Sequence, residues 1–335
     1  GISVEVRELW ARGIIAYALK YRVGDMDIVM SPYAFFNVPE EGMVNEPALF
    51  SPQREVIHYE QFYQDDNSRR MQGAKFDFGL DFTKVLKDAN FNAFLARVRG
   101  TDFLTIPNRF VTGGQAQFST RKLQDTTGLQ ADFGVNVVHT YDDLRSGEAT
   151  NGIRNTVFTL DFDVAILDKE NLGLNLVGET GFSALSFKED SIAVFEEDDS
   201  FLDIGLEVHL KPQKLTLSAS FIDIGPDFFS IGAQSKRNDF SADISYYYRV
   251  GLDRNIRMPS LFDITRDRAM YTFQLSDRLM PYDPRYSNTM PYGTATANRQ
   301  GLKLGVVYGG EEEVMEVKVD AALLGELRGQ GTSEL

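Results

Sequence analysis

The sequence predicts an all-β fold of antiparallel strands that run up and down, on three observations. Apolar and polar residues alternate with period two through segment after segment. Short turns alternate with long connections. No segment carries a sustained 3.6-residue apolar period.

Taken along the chain, residues 1–73 form an irregular N-terminal segment and residues 74–335 the strand-rich remainder. Ile14 to Tyr21 and Met26 to Met30 are candidate first strands. Pro32, Pro39, Pro47 and Pro52 then interrupt the chain, and this stretch to Gly73 is where an internal plug would lie. Ser51-Pro52, an N-cap residue followed by proline at the first helical position, predicts one short helix over Gln53 to Tyr63. Strand signals follow at Phe76–Phe82, Leu129–Val137, Phe158–Ile166, Leu202–Leu210, Leu215–Phe221, Phe240–Tyr248, Leu302–Tyr308 and Met315–Ala321. Successive strand side chains point to opposite faces, so each segment has an oily and a wet side. Lys211-Pro212-Gln213-Lys214 and Asp168-Lys169-Glu170-Asn171 are too short for a crossover helix and predict hairpins. Asp142 to Asn155, Lys188 to Ser200, Gly225 to Asp239 and Gly251 to Gly301 are long connections.

The chain has 335 residues, 43% of them hydrophobic, which excludes a disordered polymer. With 34 Lys and Arg against 49 Asp and Glu, the formal charge of −15 argues against nucleic acid as a partner. There is no cysteine, hence no disulfide and no thiolate chemistry. Gly1 in place of an initiator Met implies that a signal peptide has been removed or that the parent chain is longer. The longest apolar runs are far too short for a membrane helix, which leaves spanning by strands open.

Period two suits both a soluble sandwich and a membrane barrel. The apolar positions carry 25 Phe and 14 Tyr against one Trp, and membrane barrels place aromatic side chains in interfacial girdles. Several strands reach nine residues, near the length a tilted strand needs to cross lipid. The opposite face carries Asp, Glu, Ser, Thr, Gly and Asn in mid-strand, as a wet lumen permits. The fold expected is therefore an antiparallel up-and-down transmembrane β-barrel with long loops. In Phe158–Leu185, Phe201–Phe229 and Phe240–Val250 the chain resembles porin-like outer-membrane β-barrel proteins of Gram-negative bacteria. The resemblance is one of pattern and covers about residues 75–335. It implies outer-membrane location, contact with membrane lipid, and passage or binding of solutes without covalent chemistry. Such chains usually close on an aromatic residue, whereas this one ends in Ser333-Glu334-Leu335, so the barrel is expected to be incomplete at the C-terminus.

The most unusual composition lies between Arg249 and Arg299. Arg249, Arg254, Arg257, Arg266, Arg268, Arg278, Arg285 and Arg299 stand among five aspartates with no Lys or Glu, a net +3, which leaves −18 for the rest. Arg presents a planar fork suited to carboxylate and phosphate, and Tyr282 and Tyr286 lie among these residues. Folded into a lumen, the segment would form a constriction that attracts small anionic solutes or acidic sugars. The competing reading pairs its arginines with Asp253, Asp263, Asp267, Asp277 and Asp283. No cofactor is expected. Glu196-Glu197-Asp198-Asp199 and Asp65-Asp66-Asn67 read as solvated loop tips with calcium as a minor alternative. Asp161 with Asp163, and Asp77 with Asp81, share strand faces but give only weak grounds for glycoside hydrolysis. His58, His139 and His209 show no metal spacing, and no nucleophile elbow or phosphate loop occurs, so no enzyme activity is expected. Two other readings stand beside transport. One is a structural barrel whose long loops bind a partner or a surface polymer, an envelope protein or a second copy being the candidate partners. The other is a soluble all-β carbohydrate-binding protein.

Overall fold

A computed structural model describes residues 9–26, 28–35, 71–99, 107–122, 128–144, 152–189, 192–234, 294–309 and 317–328. They form one twelve-stranded antiparallel sheet in which every strand lies beside its sequence neighbours. The strands are β1 (Trp10–Ile15), β2 (Leu19–Met26), β3 (Met71–Asp81), β4 (Leu86–Arg99), β5 (Asn108–Thr120) and β6 (Gln130–Asp143). They continue with β7 (Gly152–Asp168), β8 (Leu172–Glu189), β9 (Ile192–Leu210), β10 (Leu215–Ile224), β11 (Arg299–Tyr308) and β12 (Val317–Gly325). The all-β, up-and-down antiparallel reading therefore holds. Among the described residues β1 pairs only with β2, and β12 only with β11. The helix expected at Gln53–Tyr63 and the strand expected at Phe240–Tyr248 lie outside the described residues.

Three local expectations need correction. Ile14 to Tyr21 is not one strand but holds the β1–β2 hairpin, with Ile15 opposite Leu19. Ala16 and Tyr17 adopt positive φ there, 52° and 60°, so the turn is built without the glycine or asparagine that would announce it. Met26 to Met30 is not a strand either: β2 ends at Met26 and the chain turns onto the sheet. Lastly, Glu196 to Asp199 belong to β9 and oppose Ser186 to Ser183 of β8. Asp199 is no loop tip; its carboxylate accepts from the Ser200 and Asp227 backbone N–H groups and holds the chain where it leaves β10.

The two longest connections, residues 27–70 and 225–298, fall at the same end of the sheet, the long end. The connection expected from Lys188 to Ser200 is also there but is a hairpin, with Glu189 opposite Ile192. At the long end, residues 28–35, 225–234 and 294–298 lie against one face. Phe35 meets Phe94 of β4 edge-on at 6.0 Å. Ser31 reaches Thr159 of β7 at 3.2 Å, and Tyr33 donates to Asp203 of β9 at 2.7 Å. Strands β4 and β9 are five steps apart, about 24 Å in a flat sheet. One short segment touches both because the sheet curls around it, and this face is the concave one.

The concave face is dry where these segments cover it. Met26, Ile28, Met30, Phe35, Met71 and Phe94 pack with Val111, Val138, Ile153, Phe229 and Ile231. Tyr33, Val157, Phe201, Ile224, Phe228 and Ala295 form a second cluster. The convex face carries the larger side chains of the alternating pattern and nothing covers it among the described residues: Phe182 is 50% exposed, Leu304 55% and Val319 57%.

Within the covered end, Arg109 of β5 and Asp142 of β6 form an ion pair from which water is wholly excluded, with Nε to Oδ1 at 2.7 Å and Nη2 to Oδ2 at 2.8 Å. The Ile153 backbone N–H also donates to Asp142, at 3.0 Å. Asp142→Ala should therefore cost about 3–5 kcal/mol, because it strands a buried guanidinium. Asp77→Ala, at the half-exposed pair with Lys75, should cost about 0–1 kcal/mol. Denaturant unfolding of the two variants checks the contrast.

Candidate functional site

The concave face collects the polar half of the period-two pattern. Hydrogen bonds tie it together across four strands. Asn92 Nδ2 donates to Gln115 Oε1 at 2.9 Å, and Gln115 Nε2 to Asn136 Oδ1 at 2.8 Å. Asn136 Nδ2 then donates to both Thr159 Oγ1, at 3.0 Å, and Asp161 Oδ2, at 2.8 Å. Asn92, Gln115, Asn136 and Thr159 occupy directly paired positions, so antiparallel register alone sets this line of amides and hydroxyls abreast. Gly134 sits opposite Asp161, and a Cβ there would collide with its carboxylate, so glycine is what lets Asp161 lean across β6.

Two charged rows flank this line. Asp161, Glu179 and Asp203 oppose one another on β7, β8 and β9. Ser31 and Thr159 lie against the buried Glu179 carboxyl, and Tyr33 caps Asp203. On the other flank Arg12, Arg22 and Lys75 oppose one another on β1, β2 and β3. The inward segments are fixed above the acidic row by polar contacts as well as by packing. Asn155 Nδ2 donates to the Phe229 carbonyl at 2.9 Å, Ser183 Oγ accepts from the Phe229 N–H at 2.8 Å, and Ser230 Oγ donates to the Ala34 carbonyl at 3.0 Å. Nearer the turn end, Glu207, His209, Thr216 and Ser218 face the same way and are only partly covered or open to solvent.

Of the arginines singled out from sequence, Arg299 is described. It opens β11 on the concave face, is buried, and its Nη2 donates to the Thr294 carbonyl at 2.6 Å, which ties it to an inward segment. Arg249, Arg254, Arg257, Arg266, Arg268, Arg278 and Arg285, with Tyr282 and Tyr286, lie outside the described residues. Asp161 and Asp163 share the concave face as expected, and so do Asp77 and Asp81. His139 faces outward, stacked on Tyr141 with ring centroids 5.3 Å apart, whereas His209 faces inward beside Thr216. No group of three His, Cys, Asp or Glu able to hold a metal occurs among the described residues. No family model, curated protein or solved structure matches the chain.

Tyr33 is the inward segment's polar anchor. Burial pushes its hydroxyl well above the usual value of 10.0, and the neighbouring Asp203 charge pushes it further. A raised value means that the neutral phenol is the form the fold favours. Its contribution is fully present below pH about 10 and is lost only as pH rises through the elevated value. Tyr33→Phe removes the donor and leaves Asp203 with one partner fewer, which should lower stability by about 1–3 kcal/mol while the Phe201 stack at 4.0 Å survives. Thermal unfolding of the variant checks the loss. Ultraviolet titration checks that one tyrosine of the parent ionises after the rest, and that this late step is missing from Tyr33→Phe.

Proposed function

We propose that the chain is an outer-membrane β-barrel of a Gram-negative bacterium that binds or passes small solutes along its polar concave face. The observation that carries this reading is the inverted sheet: its inner face is polar and its outer face is apolar and uncovered. A soluble sheet buries its apolar face against another layer. Lipid removes that need, since hydrocarbon is the layer.

Two features of the outer face agree. Phe110, Tyr141 and His139 stack near the long-loop end, and Phe78, Phe91 and Phe118 near the turn end. Phe110 and Phe118 are eight residues apart on β5, about 27 Å along the strand and about 20 Å along the membrane normal at the usual tilt, a height on the order of the apolar band of such barrels. Strands β7, β8 and β9 have 17, 18 and 19 residues, well beyond the roughly 9–11 a crossing requires, and the surplus extends past lipid on the loop side. Unpaired backbone is intolerable in lipid, so the outer edges of β1 and β12 need pairing partners in a membrane-inserted form.

A barrel of this size leaves more interior than its own side chains fill. The packed segments occupy the loop end, which favours solute binding or regulated passage over an open pore. The Arg-rich stretch Arg249 to Arg299 is the anion-selective constriction in this reading. Lipid, small anionic solutes or acidic sugars are the partners, with no cofactor and no covalent step.

Leu304→Arg or Phe182→Arg, placed on the lipid face, should cost about 2–4 kcal/mol in folding from urea into bilayers. The same substitution at Ser218, on the concave face, should cost far less. Purification as a monomer without detergent would sink the membrane reading. In planar bilayers the chain should conduct. Neutralising Arg266, Arg268, Arg278 and Arg285 together should lower its anion preference, and unchanged selectivity would remove the constriction role.

A further inference from the structure

We infer that the Arg12–Arg22–Lys75 row is a binding site for a small oxyanion carrying phosphate or carboxylate. The inference rests on the solute-binding reading of the concave face and names the class of solute.

Arg12 stands directly opposite Arg22, and Arg22 directly opposite Lys75, so three cations lie abreast across three strands, a span of about 10 Å. Like charges on directly paired positions destabilise a sheet unless something answers them. Among the described residues little does. Lys75 has Asp77 at 3.5 Å. Arg22 Nε donates to the Asp25 carbonyl, a neutral acceptor, at 3.0 Å. Arg12 forms no ion pair among the described residues. Both guanidinium groups gather at one ring: Arg22 lies 4.9 Å and Arg12 5.5 Å from the centre of Trp10. Stacking on indole orients a guanidinium and leaves its N–H edge available. Two forks held at one ring, with an ammonium beside them, suit the several oxygens of a phosphate or carboxylate. Lys20, two residues before Arg22 on the same strand and face, stands opposite Asp77. All this occurs in a chain of net charge −15, so the concentration of cations is not a reflection of composition.

Trp10 is the chain's one tryptophan, so its fluorescence reports this site alone. Inorganic phosphate titrated into the detergent-solubilised full chain, against sodium chloride at matched ionic strength, should shift Trp10 emission saturably. Arg12→Gln and Arg22→Gln should each weaken half-saturation about tenfold, the loss of one charge-assisted fork. Lys20→Gln should stay within about twofold, since it lies one step off the row. Without phosphate, Arg12→Gln should melt no lower than the parent, because it relieves repulsion; a purely structural arginine would give the opposite. Nanodiscs separate the two sources of phosphate. Emission already shifted in phosphatidylglycerol discs, before phosphate is added, assigns the site to a lipid headgroup. Equal titrations in phosphatidylglycerol and phosphatidylcholine discs assign it to a free solute. A response no larger than that to chloride, or half-saturation unchanged in both arginine variants, overturns the site. Water solubility would defeat the membrane reading, whereas the same titration in plain buffer would still decide the anion site.

Discussion

The constraint on which everything else rests is that, among the described residues, one sheet serves as the whole architecture. Twelve strands in sequence order satisfy nearly all of their backbone hydrogen bonds within a single layer. A single layer has two faces, and period-two alternation makes one apolar and one polar. The chain's own additional segments cover the polar face, so the apolar one has no protein partner among the described residues. Each Leu or Phe there is about half exposed and so forgoes roughly half of the about 1.5–3 kcal/mol that full burial gives, a penalty repeated along the strands. The outer face thus calls for an apolar layer that the described residues do not supply.

That inversion also explains the interior. A polar concave face cannot form an oil-like core by itself, so it is knitted by the line from Asn92 through Gln115 and Asn136 to Asp161. Apolar packing appears only where residues 28–35 and 225–234 bring Phe35, Phe228, Phe229 and Ile231 inward. There the inner-face residues of the strands change character to match, with Val111, Val138, Ile153 and Val157 replacing the amides and carboxylates found further down. The same strands thus carry two programmes along their length: an outer stripe that continues throughout, and an inner stripe that switches from polar to apolar where the chain folds back.

Much of this was legible locally, because a strand's period and a turn's composition are local properties. Placing the turn at Asp168 to Asn171 sets Asp161 within one residue of Glu179; the exact pairing depends on the register shift between Ala165 and Leu167, which carries no local signal. Glu179 against Asp203 was not legible, since the β8–β9 hairpin lies in a stretch whose acidic residues disfavour strands. They lie on the part of β9 beyond the end of β10, where the strand keeps its backbone paired with β8. The β1–β2 hairpin was hidden for a different reason: Ala16 and Tyr17 take the left-handed conformation that glycine usually provides. Without that turn, Arg12 and Arg22 are merely ten residues apart, and the cationic row is invisible. The inward course of residues 225–234 had a signal in Phe228, Phe229 and Ile231, three large apolar residues in what composition marks as a connection, but no local rule says which face they seek.

The two charged rows differ in how the fold treats them, and the difference separates anchor from site. The acidic row on β7–β9 lies beneath the inward segment, which lays Ser31 against Glu179 and sends the Tyr33 hydroxyl to Asp203. Hydroxyl donors from the segment answer it in part, and their placement also fixes the segment, while Glu179 Oε1 is left buried without a hydrogen-bond partner among the described residues. The basic row on β1–β3 receives no comparable cover: Trp10, its nearest companion, is itself 43% exposed, and an indole face orients cations without neutralising them. A fold that answers one row from within and leaves the other facing solvent has divided its polar face into a part that holds the structure together and a part still able to take a counter-charge from outside.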